Sequence, residues 1–99
     1  FVVWCARAAG LECPTNQPGL ARSWLGIGTP TLDPVPGDIA IFERGGQGSI
    51  TGHVGIYLAM DNAQRVFVLG GNQGDKVSIA GLKISGLIGL RRLSEVPRL

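Results

Sequence analysis

Ile39-Ala40-Ile41-Phe42, His53-Val54-Gly55-Ile56-Tyr57-Leu58 and Arg65-Val66-Phe67-Val68-Leu69 are three apolar runs, rich in β-branched and aromatic side chains and bounded by turn-forming residues. Runs this short read as strands, and they decide the fold. Pro36-Gly37-Asp38 turns the chain into the first of them. The polar, glycine-rich stretch from Gly45 to Gly52 reads as a hairpin connection to the second, and Asp61-Asn62 supplies a turn before the third. Gly70-Gly71-Asn72-Gln73-Gly74 then breaks the pattern, Lys76 to Ile79 resumes it, and a last strand is expected from about Leu87 to Leu93.

Upstream of these runs the periodicity changes. Phe1, Trp4, Cys5 and Ala8 fall at i, i+3, i+4 and i+7, the stripe of a helix packed on a core, and Gly10 is placed to end it. Asn16 can cap a second short helix from about Pro18 to Leu25, with Leu20 and Trp24 on one face and Gly26 and Gly28 after it. The expected fold class is therefore α+β: two N-terminal helices followed by an antiparallel sheet of about five strands, in a single domain spanning residues 1–99. This segregated order does not suit βαβ crossovers. The helical stripe starts at residue one with no N-cap, and the chain opens on Phe1 rather than Met, so a missing N-terminal segment is expected.

Composition narrows the function classes. With 99 residues, 44% apolar and 16% charged, the chain has the make-up of a globular domain. Its charges are scattered and sum to +2 with no basic tract, so nucleic acid is not an expected partner. The longest apolar runs fall far below the roughly 18 residues a membrane-spanning helix needs. Two cysteines, Cys5 and Cys13, and one histidine, His53, do not make up a zinc site, and no metal or cofactor is expected. No glycine cluster completes Gly-x-Gly-x-x-Gly, no Gly-Lys-Ser or Gly-Lys-Thr occurs, and Gly-x-Ser-x-Gly is absent. Nucleotide binding and a serine-hydrolase elbow are thereby disfavoured.

His53 is the most informative polar residue. It opens an apolar strand directly after Gly52, where its neighbours hold the backbone rigid. It reads either as a hydrogen-bonded strand end or as a working imidazole. Asn72 and Gln73 divide in the same way, between a tight turn and a functional pair. If the strand ending at Leu69 pairs with the one starting at His53, Asn72 and His53 lie at adjacent strand ends. An amide beside an imidazole can orient the ring and fix its tautomer.

Four ordered blocks point to a family: Ala21-Arg22-Ser23-Trp24-Leu25, Pro36-Gly37-Asp38-Ile39-Ala40-Ile41-Phe42, Gly52-His53-Val54-Gly55-Ile56-Tyr57 and Val68-Leu69-Gly70-Gly71-Asn72-Gln73. Gly89-Leu90-Arg91-Arg92 also fits. Together they resemble the cell-wall cysteine peptidases of the papain-like NlpC and CHAP superfamily, in the group that carries a Gly-Gly-Asn-Gln block after the histidine strand. The resemblance implies a papain-like α+β core, cleavage of amide bonds in peptidoglycan stem peptides, His53 as the catalytic histidine and Asn72 as the residue that orients it. It also implies a monomer that works at the cell wall, secreted, periplasmic or phage-delivered.

The family's nucleophile opens the first helix in a pattern like Trp-Cys-x-x-Phe-Val. Phe1-Val2 matches the end of that pattern, which puts the cysteine N-terminal to Phe1, about two helical turns or about 10 Å ahead of Cys5. Trp4-Cys5-Ala6 imitates the dipeptide, so Cys5 is the alternative nucleophile, although only Ala6 to Ala9 separate it from Gly10. A non-catalytic cell-wall-binding module is the rival to a hydrolase.

Overall fold

Ile39 to Phe42 is apolar at every position because it is buried on both faces. In the computed structural model, which describes residues 1–14, 21–43, 52–62, 64–71 and 76–95, this segment is the second strand of one six-stranded antiparallel sheet. In chain order the elements are α1 (Val2–Ala8), a 3-10 helix (Ala21–Gly26), β1 (Thr29–Pro30), β2 (Ile39–Glu43), β3 (Gly52–Met60), β4 (Arg65–Gly71), β5 (Val77–Lys83), a second 3-10 helix (Ile84–Gly86) and β6 (Leu87–Arg92). The sheet order is β1-β6-β2-β3-β4-β5.

Strand alternation divides the core in two. Ile39 and Ile41 face Val2 and Ala6 of α1 and the fully buried Trp24 of the first 3-10 helix, with Val54 and Ile56 beside them. Ala40 and Phe42 point to the other face, where they pack with Tyr57, Val66 and Val68 and with Leu82, Ile84, Leu87 and Leu90. The register of β2 on β3 is continuous from Ile39 opposite Ile56 to Phe42 opposite His53. Across β3 and β4 the residues come so close that a Cβ on Gly55 would lie 2.8 Å from both Cβ and Cγ2 of Val68.

The α+β class stands, with differences in detail. One α-helix is present among the described residues; the second helical segment is a 3-10 turn from Ala21 to Gly26. Asn16 and Pro18 to Leu20 lie outside the described residues. A sixth strand, Thr29–Pro30, pairs with Arg92 and Arg91 and adds an edge that the Pro- and Gly-rich sequence conceals. The face of α1 also differs from the expected stripe. Val2 and Ala6 are buried, whereas Trp4 is 71% exposed and Ala8 is exposed. Val2 to Ala6 is apolar throughout, so periodicity leaves the face undecided, and Val2 and Ala6 are the residues that pack into the core. The helix does end as its glycine indicates: Gly10 has φ +72, its N–H donates to Arg7, and the Leu11 N–H donates to the Ala6 carbonyl.

Two arginines of β6 fasten the loop before β2. Arg91 donates to the carbonyls of Ile27 and Gly28 at 2.7 and 2.8 Å. Arg92 donates through Nε and Nη2 to the two carboxylate oxygens of the buried Asp38, at 3.0 and 2.9 Å, and the Val35 N–H donates to Oδ2 at 2.9 Å. Burial would raise the Asp38 carboxyl, but the bonds from Arg92 and Val35, with the arginine's charge, outweigh it and hold the group below its ordinary value.

Candidate active site around His53

His53 stands near the head of β3, half-buried. Residues directly opposite each other in an antiparallel pair share a face, so its pairing with Phe42 puts the imidazole on the Phe42 side of the sheet. The two ring centroids are 6.5 Å apart, with the planes tilted by 39°. On the other flank the ring rests on β4. A Cβ built on Gly70 would stand 3.4 Å from Nε2 and 3.5 Å from Cε1 of His53. Glycine at this position leaves the space that the imidazole occupies, and a branched side chain would displace the ring.

Gly71 turns to the opposite face. A Cβ there would meet the Cβ of Phe1 at 2.9 Å. The end of β4 therefore carries His53 on one side and the start of α1 on the other. The two glycines are strand residues paired with Ser78 and Val77, where the sequence reads as a turn from Gly70 onward. A residue without a side chain leaves no alternation to read. Asn72 and Gln73 lie outside the described residues.

The cysteines stand apart from the imidazole. Cys5 is half-buried and lines a mostly apolar cavity of about 210 Å³ with Val2, Ala6, Ile39 and Ile56, on the α1 face. Ile39 is three residues from Phe42 along β2, about 10 Å at the usual rise, so Cys5 is separated from His53 both along the sheet and across it. Cys13 packs against the same α1-side core, and both are free thiols.

A second cavity, of about 270 Å³, has His53 on its rim together with Phe42, Glu43, Leu82, Lys83, Ser85 and Gly86. An imidazole at such a rim can take a proton from a reacting group and return it. Lys83 and Ser85 reach the site because β5 runs on to Lys83, past the expected end at Ile79, and leads into a connection over this face. Local sequence carries no signal for that crossing. Among the described residues no three His, Cys, Asp or Glu side chains come together as a metal site, and no helix is long and apolar enough to cross a membrane.

Comparison with known families gives one finding: residues 1–72 match the CHAP domain. Comparisons with curated proteins and with solved structures give no match.

Proposed function

The chain belongs to the CHAP domain family, and on that footing we propose that it is the histidine-bearing part of a peptidoglycan hydrolase that cleaves amide bonds in stem peptides. The observation that carries the reading is the seat of His53: a half-buried imidazole, flanked by Phe42, resting on Gly70 and bordering an open cavity. In this reading the domain has a papain-like core, acts as a monomer at the cell wall, and reaches the wall by secretion, export to the periplasm or phage delivery.

The chemistry is that of a Cys-His-Asn set. A thiolate attacks the peptide carbonyl, the carbon–nitrogen bond breaks, and the His53 imidazolium gives its proton to the leaving amine. His53 then takes a proton from water, which attacks the thioester and releases the carboxylate and the sulfur. Asn72, which directly follows Gly71 at the end of β4, is assigned to hold the ring in one tautomer. The attacking sulfur is assigned to a cysteine N-terminal to Phe1, since Phe1 lies at the His53 end of β4 whereas Cys5 lines a cavity with Ile39 and Ile56 further along the sheet, and Cys13 packs on that same side.

The test is turnover of dye-labelled peptidoglycan by the full-length natural protein and its His53→Ala variant. The expected loss is about 10²- to 10⁴-fold, the usual contribution of a positioned acid–base group, with the thermal midpoint unchanged. Equal turnover by the two proteins would refute the assignment. Wall binding retained by both, with turnover by neither, would identify a binding module.

A further inference from the structure

Across the bare end of β4 from His53 stands a hydroxyl. Gly70 pairs directly with Ser78 of β5, so the two residues share a face of the sheet. That face is the imidazole's, because the Cβ position of Gly70 is 3.4 Å from His53 Nε2. Alternation along β5 agrees: Leu82, four residues beyond Ser78, packs into the cluster that holds Phe42, Tyr57 and Val68. Opposed Cβ positions on neighbouring strands lie about 4.5–5.5 Å apart. Gly70 puts no side chain into that gap, so the next side chain along the row from the imidazole is Ser78.

This row is also where the face opens. Two residues back along β4, Val68 is fully buried opposite a half-buried Ala80. At Gly70 and Ser78 the packing stops. Ser78 is exposed, and its hydroxyl has no hydrogen-bond partner among the described residues. From Val77 to Leu82 it is the one polar side chain, and it lies on the histidine's face, whereas its neighbours Val77 and Ile79 pair with Gly71 and Leu69 and turn to the α1 side. All of β5 lies beyond the span that matches the CHAP domain.

We propose that Ser78 is a substrate-binding residue whose hydroxyl donates to the peptide carbonyl next to the amide bond presented to His53. The assignment deepens the hydrolase reading and rests on it. Successive Cα atoms of a peptide are about 3.8 Å apart, close to the spacing of about 4.8 Å between neighbouring strands. A chain whose scissile amide sits at the imidazole therefore presents its next peptide group over β5, within reach of a hydroxyl there. The bond is between neutral groups, so it positions the substrate and leaves the proton transfers to His53.

Turnover of a soluble stem tetrapeptide by the full-length natural protein and its Ser78 variants tests the contact, together with calorimetric titration of the same peptide in a His53→Ala background, where it is not cleaved. Ser78→Ala should raise KM and Kd alike by about 3- to 10-fold, the worth of one neutral hydrogen bond. Its kcat should stay within about twofold, as for a contact made equally in ground and transition states. Ser78→Thr, which keeps the hydroxyl, should retain most of the binding. Ile79→Val, next on the strand and facing away, should change neither constant. If Ser78→Ala binds as tightly as the unaltered protein, or Ile79→Val weakens binding as much, the contact is wrong and the hydrolase reading stands on His53. An unaltered protein that neither cleaves nor binds the peptide overturns the stem-peptide reading and the contact together.

Discussion

Gly55→Ala tests the closeness of β3 and β4 beneath the site. The added methyl would lie 2.8 Å from Cβ and Cγ2 of Val68 and 3.3 Å from the Leu69 carbonyl oxygen, about 1 Å inside ordinary carbon–carbon contact for the first two. Val68 is fully buried and packs with Phe42, Tyr57 and Val66, so it has little room to move, and β3 and β4 are hydrogen-bonded neighbours that cannot part at this point alone. Overpacking of this kind costs about 1–3 kcal/mol. Replacing glycine in a strand recovers about 0.5–1 kcal/mol through lower chain entropy. The net is about 0–2.5 kcal/mol of destabilisation, and at its centre, about 1 kcal/mol, the thermal midpoint falls by about 4–8 °C for a domain this size. Circular dichroism melts measure it, and a double change with Val68→Ala, which removes Cγ2, should cost less than the sum of the two single changes. A midpoint above that of the unaltered chain, or strict additivity, would show that Gly55 and Val68 are not in close contact. Gly70→Ala is the internal control: its methyl meets the His53 ring at 3.4 Å, ordinary contact, so stability should change little.

Cys5→Ala in the full-length natural protein should leave peptidoglycan turnover within about twofold, because Cys5 lines the α1-side cavity; a loss comparable to that of an acid–base group, about 10²-fold or more, would reinstate it as the nucleophile. Trp24→Ala should cost about 3–5 kcal/mol, as for other buried tryptophans, read by urea unfolding; Trp24→Phe should cost far less, since the buried indole N–H has no hydrogen-bond partner among the described residues. Asp38 has a carboxyl held below its ordinary value in the fold, so its contribution is fully present above the unfolded value, about 3.9, and disappears as pH falls through the lower folded value. The midpoint gap between the unaltered chain and Asp38→Asn should therefore shrink from pH 7 to pH 2, and a constant gap would contradict the pairing with Arg92.

The parts of this fold legible in the sequence are those where composition and burial agree. Ile39 to Phe42 could be read as a strand because burial on both faces removes polar residues altogether. The face of α1 was not legible, since five consecutive apolar residues fit more than one stripe, and the exposed Trp4 misleads any reading that weights size. β1 was hidden because Thr29–Pro30 owes its pairing to β6, about sixty residues on, and to nothing local. The position of His53 was legible from a single histidine opening a β-branched run. Its surroundings were not, because Lys83 and Ser85 reach the cavity only through the order of strands in the sheet.

That order also explains why two glycines end β4. In a strand, successive residues address opposite faces, and here the two faces hold different parts of the proposed machinery: His53 lies against Gly70, and Phe1 at the start of α1 lies against Gly71. The thiol proposed for the N-terminal side of α1 would not meet the imidazole through the sheet. In that proposal it would come round the end of β4, an approach that bare flanks on that strand end keep short. A side chain larger than a methyl at Gly70 would compete with the ring for space, and even a Cβ at Gly71 would press on Phe1 at the start of α1. In the proposed mechanism, the pair of glycines that reads as a turn in sequence would be the thinnest part of the partition between a thiol on the α1 side and His53.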